Sequence, residues 1–265
     1  MCRWAAWIGR PIFLEEIVSR PGHSLIVQSH QAERCPSAVN ADGFGVAWYD
    51  HRPEPGLYRD VYPAWSDPNL AAVARQVRSP LFLAHVRAST GSAISRNNCH
   101  PFAVGRWSFM HNGQVGGFDG FRKQADMGID DALYPMRKGA TDSEAIFLHA
   151  LGLGLDDDPI GAMARAAAQM LALSERHAAA PLLRLSAAWS DGQGLWAVRY
   201  ASDAAAPSLY YRYCDEKKGF MVVSEPLERD ADDWTEVPTG TVCRFLADTV
   251  ATATFRPIPA KARAA

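Results

Sequence analysis

The residue with the most distinctive chemistry in this sequence is Cys2, which becomes the amino terminus once Met1 is removed. A chain that begins with cysteine carries a thiol and a free α-amine on the same residue. The thiolate is the reactive nucleophile, and an α-amine with a pKa of about 7.7–8.0 can accept its proton near neutral pH. One residue then supplies both nucleophile and base, as in N-terminal nucleophiles. A cysteine in second place also occurs by chance, so this assignment depends on the rest of the chain.

A reaction of Cys2 with an acyl carbon needs hydrogen-bond donors for the oxyanion that forms. Asn112 and Gly113 are candidates, because a side-chain amide stands beside a backbone N–H that is free of Cβ crowding. The same dipeptide is a strong signal for a tight hairpin turn. Taken alone, the Asn-Gly pair favours the turn.

Four more side chains are candidates for binding a substrate that carries both a carboxylate and an ammonium group. Arg87 offers a planar fork for a carboxylate, and Thr90 and His100 can add hydrogen bonds. Asp142 can pair with the ammonium group. Structural alternatives remain open: a surface ion pair for Arg87, a core or turn histidine for His100, and a favourable charge at a helix N-terminus for Asp142. Against the first, an idle arginine at the end of an apolar strand would be costly.

The composition argues against several classes of partner. The chain has 265 residues and a formal net charge of −2, and its lysines and arginines are scattered. We therefore expect no nucleic-acid partner and no anionic membrane surface as partner. No apolar run reaches the roughly 18–20 residues of a membrane span. Charged residues interrupt the first sixteen positions, so no signal peptide is predicted and the expected location is cytoplasmic.

The five cysteines do not form a recognisable framework. Their odd number, their wide spacing and the absence of a C-x-x-C motif argue against disulfides and against a zinc site. Apart from Cys2, they are predicted to be small buried residues; these are Cys35, Cys99, Cys214 and Cys243. Cys99 and His100 form a second thiol–imidazole pair in sequence, but neighbours on a strand point to opposite faces, which argues against their cooperation.

The elements that must position these residues fall into two groups of strands with helices between them. Strands are predicted at residues 2–9, 44–49, 58–62, 81–86, 102–104, 106–110, 182–190, 195–200, 209–213, 220–224, 242–246 and 251–255. Helices are predicted near residues 12–19, 24–32, 67–77, 141–152 and 158–179, and the segment 118–138 shows no clear periodicity. Residues 257–265 read as a frayed tail. This order predicts two antiparallel sheets layered with helices rather than a doubly wound parallel sheet.

Six motifs in this chain occur in a specific order and spacing. They are Cys2, NADGFG at 40–45, HVRAST at 85–90, HP at 100–101, HNG at 111–113 and TDSE at 141–144. Together they resemble the class II glutamine amidotransferase domain, from the first residues to about Leu151. The second half, with SEPL at 224–227 and the segment 234–242, is similar to stand-alone members of that group, which include the γ-glutamyl hydrolase of ergothioneine biosynthesis.

The resemblance implies an α+β fold, namely the four-layer αββα sandwich of N-terminal nucleophile hydrolases, with residues 1–265 as a single domain. It implies Cys2 as the nucleophile and Asn112 with Gly113 as the oxyanion hole. It also implies a site for the substrate in which Arg87, Thr90 and His100 bind the carboxylate and Asp142 binds the amine, with His111 as a further substrate-binding residue. No metal and no organic cofactor are expected.

Two positions depart from the family pattern. Ala88 stands where many synthase-linked relatives have tryptophan, and Gly91 follows Thr90 without an intervening histidine. Both positions lie beside the acyl site, so the leaving-group side is expected to be shaped for something other than glutamine.

The expected function is hydrolysis of the γ-glutamyl amide bond of glutamine or another small γ-glutamyl compound through a thioester on Cys2. The products are glutamate and ammonia or an amine. One alternative is a glutaminase subunit that delivers ammonia to a separate synthase. A second alternative is a non-catalytic module that binds γ-glutamyl metabolites or a protein.

Overall fold

A computed structural model describes residues 2–33, 39–89, 93–228 and 233–258 of the chain. Thr90, Gly91, Cys35 and most of the predicted tail lie outside these ranges. Within them, the strands are β1 (Arg3–Phe13), β2 (Phe44–Tyr49), β3 (Gly56–Asp60), β4 (Arg78–Val86), β5 (Phe102–Val104), β6 (Trp107–Val115), β7 (Leu183–Ser190), β8 (Leu195–Ala201), β9 (Tyr210–Cys214), β10 (Gly219–Val223), β11 (Thr235–Glu236), β12 (Thr241–Phe245) and β13 (Val250–Thr254). The helices are α1 (Glu15–Val18), α2 (Leu25–His30), α3 (Pro68–Gln76), α4 (Phe118–Met127), α5 (Asp142–Gly152) and α6 (Pro159–Arg176).

The strands form two sheets, and neighbouring strands are antiparallel in both. The first sheet has the order β11-β9-β10-β1-β4-β2-β3, and the second has the order β13-β12-β8-β7-β6-β5. Strand β1 therefore lies between β10 and β4, and β6 pairs with β7. The predicted pair of antiparallel sheets is confirmed.

Three groups of buried apolar side chains divide the molecule into layers. One group packs α1, α2 and α3 against the outer face of the first sheet. A second group packs the inner faces of the two sheets against each other, and includes Trp4, Leu83 and Met110. A third packs α4, α5 and α6 against the outer face of the second sheet. The order helix, sheet, sheet, helix is the predicted αββα sandwich.

Two helix predictions need correction. The helix predicted from residue 12 begins at Glu15, because Ile12 and Phe13 extend β1 and pair with Ser79 and Arg78 of β4. The segment without clear periodicity contains α4, which starts after Gly117 in the left-handed conformation. The buried residues of α4 recur at helical spacing, and they are Phe118, Phe121 and Ala125.

Most of the other helices and strands lie close to the positions predicted from the sequence. Asp67 and Asp158 cap the helices that follow them, and each helix has proline at its first position. In the part of the chain that the structure describes, no helix combines the length and the apolar character that crossing a lipid bilayer requires.

Candidate active site

Cys2 is half-buried just before β1, and strand pairing places it beside the end of β4. Arg3 is opposite Val86, so the residues that follow β4 lie next to Cys2. The Cys2 Sγ atom lies 3.5 Å from the backbone oxygen of Ala88 and 3.5 Å from its backbone nitrogen. Burial raises the pKa of the Cys2 thiol, and the hydrogen bond to Ala88 offsets part of this effect. The sulfur is therefore a protonated thiol at neutral pH, and it needs a base before it can attack.

Arg87 is buried at the end of β4 rather than at the surface. Its guanidinium group donates to the carbonyl oxygen of Asp42 at 3.2 Å, to the Ser89 hydroxyl at 3.2 Å and to the carbonyl oxygen of Ala93 at 3.4 Å. The loop before β2 supports this arrangement, since the Asp42 carboxylate accepts a 2.7 Å hydrogen bond from the Ser89 N–H. A cation is thus held at the residue directly before Ala88, whose backbone contacts the Cys2 sulfur.

Asn112 and Gly113 lie in strand β6, where they are opposite Ser186 and Leu185 of β7. The hairpin-turn interpretation of this dipeptide is wrong, because the pairing continues without a break to Val115 at the end of the strand. The extended pairing with β7 thus outweighs a turn signal that depends on two residues alone.

The dipeptide has two features that suit an oxyanion hole. A Cβ atom on Gly113 would collide with the carbonyl oxygen of Arg184, so only glycine fits this position. The Asn112 side chain is buried, and among the described residues its amide nitrogen and oxygen have no hydrogen-bond partner. Buried amides are normally paired, so an unpaired one in a candidate active site is available to a ligand.

Three buried histidines connect the two sheets. The His85 ring on β4 stacks on the His100 ring with 4.3 Å between centroids, and His85 Nε2 lies 3.3 Å from the carbonyl oxygen of His111. Burial lowers the pKa of His85 to about 3, and it also lowers the pKa of His100 and of His111. All three rings are therefore neutral at physiological pH. Both ring nitrogens of His100 are buried and lack a partner among the described residues.

His111 connects strand β6 to the start of α5. Its Nε2 atom lies 3.0 Å from the carbonyl oxygen of Arg184, which can only accept, so Nε2 carries the proton of the neutral ring. Its Nδ1 atom therefore accepts a hydrogen bond from the Ser143 hydroxyl at 2.9 Å. His85 and Ser143 were given no role by sequence reasoning, although both belong to motifs in the resemblance.

Asp142 lies at the first position of α5 and is one of the residues that line a pocket of about 270 Å³. Its Oδ2 atom accepts a 2.7 Å hydrogen bond from the Val115 N–H, and its Oδ1 atom accepts one of 2.7 Å from the Ser143 N–H. The described lining of this pocket includes Gln114 next to the HNG motif, but not Cys2, Arg87 or Asn112.

The TDSE motif at 141–144 forms only half of a capping box at the start of α5. The Thr141 hydroxyl accepts a hydrogen bond from the Glu144 N–H, as expected for an N-cap. The Glu144 carboxylate instead accepts hydrogen bonds from the backbone N–H groups of Lys138 and Gly139 and forms a buried ion pair with Arg137. This carboxylate thereby fixes the loop that leads to Asp142.

One known protein family matches most of this chain. The family model described as class II glutamine amidotransferases matches residues 21–211. This chain belongs to the class II glutamine amidotransferase family. The resemblance seen in the six motifs is thereby confirmed at the level of the family.

Two curated relatives cover nearly the whole of this amidotransferase-family chain. The chain is 33% identical to the probable glutamine amidotransferase DUG3 of Saccharomyces cerevisiae, over 94% of its own length and 83% of that protein. It is 30% identical to the gamma-glutamyl-hercynylcysteine sulfoxide hydrolase of Mycolicibacterium smegmatis, over 90% of its own length and 92% of that protein.

Solved structures agree with the fold of a class II glutamine amidotransferase. A glutamine aminotransferase class-II domain protein from Silicibacter pomeroyi is 52% identical, with a TM-score of 0.78 over 97% of this chain and 100% of that one. The glutamine phosphoribosylpyrophosphate amidotransferase of B. subtilis is 12% identical, with a TM-score of 0.63 over 96% of this chain and 49% of that one. The second likeness concerns the fold alone, and it agrees with the predicted αββα sandwich of two antiparallel sheets.

Proposed function

We propose that this protein is a cysteine-dependent amidohydrolase that cleaves the γ-glutamyl amide bond of a small γ-glutamyl compound through a thioester on Cys2. The observation that carries the proposal is the contact between the Cys2 sulfur and the Ala88 backbone, directly beside the buried Arg87. The two curated relatives, a probable glutamine amidotransferase and a gamma-glutamyl-hercynylcysteine sulfoxide hydrolase, support the same class of bond.

The first step is activation of the sulfur. After removal of Met1, the Cys2 α-amine takes the proton of the thiol, directly or through a water molecule. This base is needed because burial keeps the thiol protonated at neutral pH. The thiolate then attacks the γ-carbonyl carbon of the substrate, forming a C–S bond while the carbonyl electron pair moves onto oxygen.

The second step is stabilisation and collapse of the tetrahedral intermediate. The unpaired amide of Asn112 and the N–H of Gly113 are the proposed donors to the oxyanion, and loss of one such donor typically costs about 10²–10³ in rate. The C–N bond breaks, the leaving nitrogen receives the proton held by the α-amine, and ammonia or an amine departs. Water then attacks the thioester and releases glutamate, which restores the thiol.

We assign positioning of the substrate to side chains that bind the two charged groups on the glutamyl α-carbon, its carboxylate and its ammonium group. Arg87 is the proposed partner of the α-carboxylate, together with Thr90 and His100, and Asp142 is the proposed partner of the α-ammonium group. His111 holds the Asp142 region through Ser143, whose hydroxyl donates to His111 and whose backbone N–H donates to the Asp142 carboxylate. Orientation of this kind can supply a large part of the rate acceleration.

The leaving group is proposed to be larger than ammonia. Ala88 is the residue whose backbone contacts the Cys2 sulfur, and its methyl group occupies far less volume than the tryptophan found there in many synthase-linked relatives. The absence of that bulk beside the reacting sulfur favours an amine substituent over free ammonia.

The test is a screen of γ-glutamyl amides, glutamine included, for release of glutamate by the wild-type protein and by Cys2→Ala. Cys214→Ser is the matched control, because Cys214 is also a half-buried cysteine. We expect release from amides with a bulky amine, no release by Cys2→Ala, and wild-type release by the control.

Other outcomes of the screen decide against parts of the proposal. Release of ammonia from glutamine alone would favour the glutaminase subunit. Binding of γ-glutamyl compounds without turnover, in a protein whose intact mass shows that Met1 is retained, would favour the non-catalytic module. Full turnover by Cys2→Ala would remove the cysteine from the mechanism.

A further inference from the structure

A buried ion pair between Arg3 and Glu225 contacts the backbone of Cys2 and has no role in the mechanism above. The guanidinium nitrogen Nε of Arg3 is 2.7 Å from Oε2 of Glu225, and both side chains are almost fully buried. The same guanidinium donates through Nη1 to the backbone carbonyl oxygen of Cys2 at 3.0 Å. One arginine thus joins a fixed carboxylate to the peptide of the proposed nucleophile.

We propose that Arg3 and Glu225 are positioning residues that fix the Cys2 peptide, so that its sulfur stays against Ala88 and its amine stays within reach of that sulfur. This inference rests on the proposed function, and it assigns a role to the SEPL motif at 224–227, which the mechanism leaves unused.

The carboxylate is itself immobilised by several contacts. Its Oε1 atom is 2.7 Å from His23 Nε2 and accepts a 2.9 Å hydrogen bond from the Glu33 N–H. The Gln28 side chain of α2 donates to the backbone oxygens of Glu225 and Pro226, both at 3.2 Å. The position of the Glu225 carboxylate, and with it that of the Arg3 guanidinium, is therefore determined by residues on both sides of α2.

Neighbouring strands hold the same segment of chain from both sides. The Trp4 N–H donates to the Ser224 hydroxyl at 2.9 Å, and the Ser224 N–H donates to the Trp4 carbonyl at 2.9 Å. On the other side, Arg3 is opposite Val86 in β4. The start of β1 is thus held by hydrogen bonds between β10 and β4. The Arg3–Glu225 pair holds one more residue, Cys2, through its carbonyl oxygen.

Stability alone explains such a pair poorly. Desolvation of two buried charges consumes most of their attraction, and apolar residues of similar volume often serve as well. A metal site is also a poor explanation. His23, Glu33 and Glu225 offer ligand atoms within 4.8 Å of one another, but the Arg3 guanidinium lies against the same carboxylate and would repel a cation.

The experiment compares Glu225→Gln, Arg3→Met and the double variant of both. Each single variant leaves one buried charge without its partner, so each is expected to lose thermal stability. The double variant leaves no unpaired charge, and the glutamine oxygen can still accept from His23 and the Glu33 N–H. Its thermal midpoint is therefore expected to return close to that of the wild type.

Turnover is expected to behave differently from stability. In the double variant, kcat for the γ-glutamyl substrate should stay lowered on the order of 10²-fold, because the Cys2 carbonyl has still lost its donor. KM should change little, since Arg87 and Asp142 are intact. Arg3→Lys should fold and show a similar loss of kcat, because one ammonium group cannot span both the carboxylate and the Cys2 oxygen as the fork does.

Alkylation of Cys2 by iodoacetamide supplies a readout that does not require turnover. The Arg3 charge lowers the pKa of the Cys2 thiol, so the rise of the alkylation rate with pH should move to higher pH in Arg3→Met and in the double variant. Arg199→Met/Glu236→Gln is the control, since that ion pair joins other strands. It should leave both kcat and the alkylation profile unchanged.

Different outcomes test the role of the Arg3–Glu225 pair and the proposed γ-glutamyl hydrolase activity. Recovery of kcat together with stability in the double variant, or a wild-type alkylation profile in it, would show that the pair is only structural. If no γ-glutamyl compound releases glutamate with the wild type, the proposed function fails, and the alkylation profile alone decides whether Arg3 and Glu225 act on Cys2.

Discussion

The carboxylate of Asp142 accepts a 2.7 Å hydrogen bond from the backbone N–H of Val115, and this contact joins the start of α5 to the end of β6. Asp142 also lines the pocket of about 270 Å³, whose lining includes Gln114, two residues after Asn112 in β6. One short contact therefore sets the distance between the proposed ammonium site and the proposed oxyanion hole.

Replacing Asp142 by asparagine should raise KM for the γ-glutamyl substrate by roughly 10–100-fold, because a hydrogen bond to a charged group contributes roughly 1.5–3 kcal/mol. Steady-state kinetics with the substrate found in the screen will measure this. Asp119→Asn is the matched control, since Asp119 lines the same pocket but is exposed. An equal effect of both variants would mean that Asp142 contributes only general negative charge.

Replacing Asn112 by alanine should lower kcat by about 10²–10³ with little change in KM, because the lost donor acts on the oxyanion of the intermediate. The Asn112 amide has no partner among the described residues, so the thermal midpoint should not fall. A stable variant with wild-type kcat would contradict the role of Asn112.

Replacing Gly113 by alanine should destabilise the fold by about 1–3 kcal/mol, the usual cost of forcing extra atoms into a packed site. The new Cβ would collide with the Arg184 carbonyl oxygen and push β7 away from β6. Urea unfolding will measure the change. Gly22→Ala is the control, because a Cβ there would meet no atom within 4 Å, and it should be close to neutral.

Acid should destabilise the protein through its buried histidines. An unfolded histidine titrates near pKa 6.5, whereas burial lowers the pKa of His85 to about 3 in the folded state. Between these values the unfolded state binds more protons, so the free energy of unfolding falls as pH falls, by up to about 1.4 kcal/mol per pH unit for this group. Its contribution to stability is complete above pH 6.5.

His85→Gln should therefore make the slope of unfolding free energy against pH shallower between about pH 6.5 and pH 4. Denaturant unfolding at a series of pH values measures that slope directly. His51→Gln is the control, because His51 is 92% exposed and should leave the slope unchanged. An unaltered slope in His85→Gln would assign the acid sensitivity to other groups.

The layers of this fold could be predicted from sequence because they follow from local patterns. Asp67-Pro68 and Asp158-Pro159 mark helix starts, and apolar runs such as the one that ends at Val86 mark buried strands. Helix α4 was missed because Gly120, Asp126 and two positive charges interrupt a periodicity that is carried by a few buried residues.

The arrangement of the site was harder to predict than the layers, because it depends on contacts between residues that are distant in sequence. The Asn112-Gly113 dipeptide favours a turn by its local preference, and only the pairing of β6 with β7 makes it a strand with an unpaired amide. The contact between Arg3 and Glu225 spans most of the chain and has no local signal. The roles of the site residues, and the single-domain boundaries 1–265, stay predictions.

The most direct test of the central claim is to treat the protein with a chloroketone analogue of glutamine and map the modified peptide by mass spectrometry. The account predicts one adduct, on Cys2, in an N-terminal peptide that lacks Met1, and loss of glutamate release in step with labelling. An adduct on Cys99 instead, or full glutamate release by protein whose Cys2 is completely labelled, would contradict it.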